Sequence, residues 1–320
     1  MKDYTPSNKN MQEEARRVLE FLAKISADKI ITGQHTQTLD PEELRYIVEK
    51  TGKHPALLGF ELLSYSSNIN YLDTDEECMK EVVENNGTLK EAWEWAGKGG
   101  LITLTWHWFS PLYGRSKAFF SDNTEFTAEM AVKEGTKEYE ATVADIRMMA
   151  GLLRPFAVKH IPILWRPLHE GEGDWFWWGV SGSEPLKKLY RLMYDIFVNE
   201  YHLDNLIWVW NSPRKEDYPG DDVVDVISRD MYPPAHVHTS QAQHYNDLIK
   251  ITEADKPVII AETGTLPDAK AIHDEKIGWS SYMTWSHGFC VGNEFNDEEE
   301  LKKMYNSPYA ITLENLPKLY

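Results

Sequence analysis

Two glutamates in the sequence stand where a carboxylate is costly unless it has a partner or a chemical task. Glu170 follows the apolar segment 162–165, and Glu262 follows the apolar segment 258–261. An unpaired charge beside such buried-looking segments is strongly unfavourable. Two carboxyl groups that face each other across a cleft can together break a glycosidic bond, one as an acid and the other as a nucleophile. The alternative for each residue alone is that it ends a strand and caps the next helix.

The residues that follow Glu170 favour chemistry over capping. His169 precedes it, and a glycine-rich turn leads into the segment 175–178, which consists of three tryptophans and one phenylalanine. Four consecutive large aromatic residues suit neither an amphipathic helix nor ordinary core packing. We interpret them as a surface on which sugar rings stack, and the 12 tryptophans of the chain support an aromatic-lined groove.

Eight apolar, β-rich segments alternate with helical patterns along the chain and position these residues. The predicted strands are 29–33, 56–61, 101–107, 161–169, 206–211, 223–232, 257–262 and 282–287. The helical patterns are 41–51, 89–98, 137–159, 185–201, 240–252 and 298–305. Fully apolar strands that alternate with helices predict a parallel sheet with both faces covered. We therefore predict a single α/β domain, residues 1–320, folded as a (β/α)8 TIM barrel.

A doubly wound open sheet is the alternative fold, but no Gly-x-Gly-x-x-Gly motif follows the first predicted strand. In a barrel, the carboxyl ends of the strands form the active-site face. Predicted strands three to eight end in tryptophan, histidine, arginine, tyrosine and glutamate, whereas simple turns would carry glycine, asparagine, aspartate or serine. These strand ends are 105–108, 165–170, 208–211, 229–232, 260–264 and 284–287.

The composition excludes several classes of partner. The chain carries 33 lysines and arginines against 51 aspartates and glutamates, a net charge of −18. Such an acidic chain is a poor partner for nucleic acid or for an anionic membrane surface. No apolar run reaches the ~20 residues of a membrane span, and residues 1–6 lack the apolar core of a signal peptide.

The chain also offers few metal ligands or cysteines. Cys78 and Cys290 are the only cysteines, too few for a disulfide framework or a cysteine-rich zinc site. His236 and His238 form a pair that is able to bind a metal, but no third ligand is near them in the sequence. A solvated loop is the favoured interpretation, and we predict no metal site.

Several motifs resemble those of one enzyme family. The segments 166–170 (Arg-Pro-Leu-His-Glu) and 175–179 (Trp-Phe-Trp-Trp-Gly) resemble the acid/base region of glycoside hydrolase family 26, the β-mannanase family. The segments 206–211, 230–232 and 261–264 look like the next three strand ends of that family, in the same order. The resemblance covers nearly the whole chain.

The resemblance implies a retaining endo-hydrolase on a (β/α)8 barrel, with Glu170 as general acid/base and Glu262 as nucleophile. By the same resemblance, Arg166 keeps the nucleophile ionised, Tyr232 hydrogen-bonds to it, and Asp230 supports the sugar nearby. The residues expected to contact substrate are His107, Trp108, Arg166, His169, Trp175, Asp230, Tyr232 and Trp285. His169 is expected to bind the hydroxyl next to the reacting carbon. No cofactor or catalytic metal is required.

The expected substrate is a plant polysaccharide, β-1,4-mannan in the form of galactomannan or glucomannan. Mixed-linkage β-glucanases and β-1,3-xylanases of the same family are alternatives, as is a non-catalytic carbohydrate-binding barrel, which would not need both glutamates. Ser286 and His287 follow Trp285 where some family members carry arginine, which leaves the distal subsites open. A polysaccharide cannot enter a cell, so we expect a secreted enzyme, acting as a monomer.

Overall fold

A closed barrel of parallel strands forms the centre of the protein. The computed structural model describes residues 5–320, so the start of the chain at 1–4 lies outside the described residues. The barrel strands are β1 in two segments (Ile30–Ile31 and Gly33–His35), β2 (Leu57–Glu61), β3 (Leu101–Thr105), β4 (Ile163–Arg166), β5 (Leu206–Asn211), β6 (Val226–Met231), β7 (Val258–Thr263) and β8 (Trp279–Thr284). A short β9 (Ala310–Ile311) pairs with the first segment of β1.

Each barrel strand pairs with the next one along the chain, and β8 pairs with β1. The closing pairs are Ile31 with Ser281 and Gln34 with Thr284. The predicted (β/α)8 barrel is therefore confirmed, and the doubly wound open sheet was the wrong alternative.

Helices surround the barrel between successive strands. In the described part of the chain they are α1 (Glu13–Ile25), α2 (Glu42–Thr51), α3 (Glu76–Glu84), α4 (Thr88–Gly97), α5 (Ala128–Ala131), α6 (Lys137–Val158), α7 (Ser183–Asp195), α8 (Ala242–Leu248), α9 (Ala269–Glu275) and α10 (Glu298–Tyr305). A π-helical turn at Ile196–Glu200 continues α7. None of these helices is both long and apolar enough to cross a membrane.

The strand bounds differ from the predicted ones mainly at the carboxyl ends. Strand β4 stops at Arg166, although the apolar pattern predicted a strand up to residue 169. Pro167 has no N–H to donate to a neighbouring strand, and Leu168 and Glu170 have φ angles of 50° and 52°, which no strand accommodates. The polar residues that follow β4 therefore lie in a loop above the barrel.

Two apolar layers fill the space inside and outside the barrel wall. On β5, Ile207 and Val209 face the interior, where α1 closes the amino-terminal end of the barrel. Trp208 and Trp210 alternate with them and pack outward against Tyr190 of α7. Alternation along a strand thus places these two tryptophans in the core between sheet and helices.

Candidate active site

Three carboxyl groups converge above the carboxyl ends of β4, β6 and β7. They belong to Glu170 in the loop after β4, Asp230 on β6 and Glu262 on β7. One carboxylate oxygen of each residue lies within 4.8 Å of the others. An inverting hydrolase needs a wider separation of its two carboxyl groups, because a water molecule must fit between the base and the sugar. The short separation of Glu170 and Glu262 instead fits direct attack by one carboxylate on the sugar.

Glu262 is buried and contacts two donors. A guanidinium nitrogen of Arg166 contacts Oε1 of Glu262, and the hydroxyl of Tyr232 donates to Oε2 at 2.8 Å. Arg166 also donates to Asp230 at 2.9 Å. Burial and the charge of Asp230 outweigh the opposing guanidinium of Arg166 and raise the pKa of Glu262 to about 8 in the free site. Because two donors point at the two carboxylate oxygens, we assign the negative charge to Glu262.

Arg166 itself is fully buried at the centre of this cluster. Burial lowers its pKa, but the charges of Asp230 and Glu262 outweigh burial and raise the pKa above its usual value. The guanidinium therefore stays cationic and partly neutralises the two neighbouring carboxylates.

Glu170 occupies a different environment. Burial and the nearby charge of Asp230 raise the pKa of Glu170 to about 7, although a hydrogen bond from Trp175 acts in the opposite direction. The indole N–H of Trp175 donates to Oε2 of Glu170 at 2.7 Å. Glu262 contacts a guanidinium and a hydroxyl, whereas Glu170 contacts only a neutral indole N–H. This difference in donors favours a proton on Glu170 over one on Glu262, as an acid and a nucleophile require.

Asn211 at the end of β5 holds Glu170 in position. The backbone N–H of Glu170 donates to the side-chain oxygen of Asn211 at 2.7 Å. The amide nitrogen of Asn211 in turn donates to Asp230 at 2.8 Å. These contacts stabilise the left-handed backbone of Glu170, a conformation that costs free energy and is often found at functional sites.

His107, His169 and Glu61 form the wall beside the carboxyl cluster. The sequence analysis identified the two histidines but not Glu61. Nδ1 of His107 lies 2.6 Å from the carboxylate of Glu61, and the Nε2 atoms of His107 and His169 are 3.2 Å apart. Burial lowers the pKa of His107, but Glu61 outweighs it and raises the pKa. Burial and the charge of His107 hold the pKa of His169 well below its usual value, so the ring of His169 is neutral.

Aromatic side chains line the open space around this cluster. His35 stacks on Trp285 with ring centroids 4.0 Å apart. A cleft of about 190 Å³ opens beside them, bordered by Glu61, His107, Phe119 and Trp285 among others. Trp175, which is 43% exposed, stands near Glu170. The structure thus brings His107, Arg166, His169, Trp175, Asp230, Tyr232 and Trp285 to the same face of the barrel as the two glutamates.

Trp108 does not belong to this groove, which corrects the expectation that it contacts substrate. Its side chain is fully buried, its indole N–H donates to Asp145 at 2.9 Å, and its ring stacks on Trp106. An indole whose N–H has an internal partner is well suited to the core.

The aromatic run 175–178 was also misinterpreted in part. Only Trp175 is exposed, whereas Phe176, Trp177 and Trp178 are buried. The indole of Trp177 donates to the carbonyl of Trp108 at 2.7 Å, and that of Trp178 donates to the carbonyl of His169 at 2.9 Å. Trp177 and Trp178 therefore anchor the loop that carries Glu170. Of the four rings, that of Trp175 is the one accessible for stacking on a sugar.

A closed (β/α)8 barrel with two such carboxyl groups, one bonded to an indole N–H and one held by a guanidinium, has the architecture of a two-carboxylate glycoside hydrolase. The comparisons with known proteins define the class more closely. The family model of glycosyl hydrolase family 26 matches residues 7–315. The chain belongs to this family.

Relatives of known name agree with this assignment. The chain is 34% identical over 318 residues to a mannan endo-1,4-beta-mannosidase of Thermothelomyces thermophilus, covering 97% of this chain and 63% of that protein. It is 30% identical over 309 residues to mannan endo-1,4-beta-mannosidase A of a Piromyces species, covering 95% of this chain and 49% of that protein. The chain therefore spans less than two thirds of the length of these two relatives.

Solved structures show the same fold. A Podospora anserina beta-(1,4)-mannanase superimposes with a TM-score of 0.89 at 30% identity, covering 99% of this chain and 70% of that one. A beta-mannanase from a symbiotic protist of the termite Reticulitermes speratus, complexed with gluco-manno-oligosaccharide, gives a TM-score of 0.86 at 32% identity, covering 99% of this chain and 98% of that one.

Proposed function

We propose that this chain hydrolyses internal β-1,4 linkages of mannan with retention of anomeric configuration. The observation that carries the proposal is the pair Glu170 and Glu262, whose oxygens lie within 4.8 Å and whose surroundings favour opposite protonation states. The names of the relatives, which describe enzymes that act on mannan, support the substrate.

In the first step, Glu262 attacks the anomeric carbon while the glycosidic C–O bond breaks. Glu170 gives its proton to the departing oxygen, so the leaving sugar departs as a neutral alcohol. Arg166 and Tyr232 hold the Glu262 carboxylate in place before the attack. The product is a glycosyl ester on Glu262 and an ionised Glu170.

In the second step, Glu170 accepts a proton from water as the water oxygen attacks the anomeric carbon. The ester bond breaks, and Glu262 returns to its ionised form. His169 and Asp230 lie where they can bind sugar hydroxyls during both steps, and Trp175 and Trp285 offer ring faces for stacking.

A side-by-side assay tests this proposal. We expect reducing sugar to be released from galactomannan and glucomannan, with barley β-glucan and β-1,3-xylan far poorer substrates. Proton NMR of the first product should show the β-anomer. Preferential release from β-glucan would transfer the proposal to a glucanase, an α-anomer would exclude double displacement, and no release from any of the four would favour a carbohydrate-binding barrel.

We further infer that residues 1–320 act as one catalytic domain, as a monomer, in the extracellular space. The continuous barrel and the match over residues 7–315 support a single domain. The size of a mannan chain supports secretion, because such a polymer cannot reach an enzyme inside a cell. Light scattering at several concentrations tests the monomer, and a constant mass near 37.0 kDa is expected.

The pH profile of kcat/KM should report the proton on Glu170. With a pKa of about 7, Glu170 loses its proton as the pH rises through this value, so activity should fall on the alkaline side. The Trp175→Phe variant removes an N–H donor that stabilises the ionised carboxylate. The pKa of Glu170 should therefore rise, and the alkaline limb should move to higher pH. Trp285→Phe is the matched control, because Trp285 borders the cleft without bonding to Glu170; an equal displacement in both variants would contradict the assignment.

Tyr232→Phe should lower kcat about 10- to 100-fold, the loss expected for one hydrogen bond to a charged group of about 1.5–3 kcal/mol. The hydroxyl of Tyr232 donates to Glu262, and phenylalanine keeps the ring without the donor. Tyr218→Phe serves as a control, because it removes a similar bond to Asp221 outside the site. Equal rates in wild type and Tyr232→Phe would show that the bond does not contribute to turnover.

A further inference from the structure

A second cluster of potential ligands lies between the loop after β6 and helix α10. His236 and His238 belong to the loop, and Glu300 belongs to the first turn of α10. Nδ1 of His236 lies 3.1 Å from Oε2 of Glu300, and Nε2 of His238 lies 2.5 Å from Oε1. One ligand atom of each residue lies within 4.8 Å of the other two. The chain thus supplies the third ligand that the sequence around the two histidines lacks.

The ring of His238 is held in a defined tautomer. Its Nδ1 lies 2.7 Å from the backbone carbonyl oxygen of Leu266, which can only accept, so Nδ1 carries a hydrogen. In the neutral ring, Nε2 then presents a lone pair. A histidine that donates one ring N–H to a backbone carbonyl and leaves the other nitrogen free has the arrangement of a metal ligand.

The Nε2 atom of His238 faces the carboxylate of Glu300 at ion-pair distance. Nε2 of His238 is buried, and among the described residues its contact with Glu300 is an ion pair that lacks hydrogen-bond geometry. In the neutral tautomer these are two acceptor atoms 2.5 Å apart, which repel each other unless a proton or a metal ion is shared between them. A cation placed beside the line joining the two atoms satisfies both of them.

We propose that His236, His238 and Glu300 bind one divalent transition-metal cation of the zinc class. Two imidazoles and one carboxylate, with water in a fourth position, form a common zinc coordination set. Zinc–nitrogen bonds of about 2.0–2.1 Å in a tetrahedron place neighbouring ligand atoms about 3.3 Å apart. The His236–Glu300 separation of 3.1 Å is already close to this value, whereas the His238–Glu300 separation of 2.5 Å has to widen when the metal binds.

Neighbouring backbone contacts hold the ligands near each other. The N–H of His236 donates to the carbonyl of Phe295 at 3.0 Å, which fixes the loop against the segment that leads into α10. Oε2 of Glu300 accepts the backbone N–H of Asp297 at 2.8 Å in a capping box, which fixes the carboxylate. A carboxylate oxygen has lone pairs for both the N–H and a cation.

The proposed cation ties the loop after β6 to α10. Tyr232 lies four residues before His236 in the same loop, with Pro233 and Pro234 between them. The cation therefore restrains a segment whose first residue hydrogen-bonds to Glu262. This role is structural, and it does not depend on the substrate proposed above.

Metal titration of the chelator-treated full chain tests the proposal. We expect one equivalent of Zn²⁺ by calorimetry, a higher unfolding temperature with Zn²⁺, and visible absorption of a four-coordinate site with Co²⁺. His236→Ala, His238→Ala and Glu300→Gln should each weaken Zn²⁺ binding at least tenfold. His54→Ala is the matched control, because His54 pairs with Glu314 at 2.9 Å, and within residues 5–320 neither residue belongs to a cluster of three potential ligands.

Two results would overturn the proposal. One is the absence of stoichiometric binding, which would reduce the cluster to a histidine–glutamate ion pair. The other is an equal loss of affinity in His54→Ala and the three cluster variants. Circular dichroism without metal checks that each variant folds. His236 is 44% exposed in its side chain, so His236→Ala decides the question even if the more buried His238 is needed for folding.

Discussion

Glu262→Gln is expected to lower kcat on mannan by at least about 10⁴-fold, or about 5.5 kcal/mol of barrier. Glutamine fills the same space but cannot form a glycosyl ester, so the first chemical step has no nucleophile. Arg166 keeps its pairing with Asp230, which limits the loss of stability that follows when one partner of a buried ion pair is removed. The measurement is kcat on a soluble galactomannan.

Binding and stability measurements separate this effect from misfolding. We expect the variant to unfold cooperatively and to bind a manno-oligosaccharide with an affinity close to that of the wild type. Glu172→Gln is the control substitution, because Glu172 is a half-buried glutamate near the site that is not one of the three clustered carboxyl groups. If Glu262→Gln retained kcat within about tenfold of the wild type, Glu262 would not be the nucleophile.

The loss of kcat/KM in Glu170→Ala is expected to depend on the leaving group of the substrate. On mannan, kcat/KM should fall about 10³- to 10⁴-fold, because the departing sugar oxygen receives no proton. On an aryl manno-oligosaccharide with a dinitrophenolate leaving group, kcat/KM should change less than about tenfold, because this anion departs without protonation. Its kcat should still fall, since hydrolysis of the ester lacks a base, and a burst of dinitrophenolate should precede the slow steady state.

The small anion azide provides a second readout for Glu170→Ala. Azide needs no general base, so it should accelerate the steady state and yield a glycosyl azide with the β configuration. The pH profile of the variant should also lose its alkaline limb near pH 7. Equal losses on mannan and on the aryl substrate would contradict the acid role of Glu170.

The alternation of apolar strands and helices was sufficient to predict the barrel, because each strand is buried on both faces. All eight predicted strands overlap the observed ones, and the helical pattern 298–305 has the bounds of α10. The strand ends were less predictable. The pattern carried β4 to residue 169, since hydropathy does not register the left-handed backbone at Leu168 and Glu170.

Within the candidate site, the predicted strand ends indicated which residues converge, but they did not indicate which neighbouring residues are buried in the core. Arg166, Asp230 and Glu262 converge because neighbouring and facing strands end on the same side of the barrel. The prediction for Trp108 was wrong because the sequence does not show whether a tryptophan next to a groove residue points into the groove or into the core. Glu61 could have been noticed, because an acidic residue ends the second predicted strand in the same way as Glu262 ends the seventh.

The burial of most tryptophans determines what the protein's intrinsic fluorescence reports. Nine of the 12 indoles are buried, Trp93 and Trp285 are half-buried, and Trp175 is exposed. The tryptophan emission of the folded protein should lie at short wavelength and should be poorly quenched by acrylamide. Denaturation should shift the emission strongly to the red. A saccharide titration should change this signal only slightly, through the few rings that solvent reaches, so Trp175→Phe would remove most of the quenchable emission.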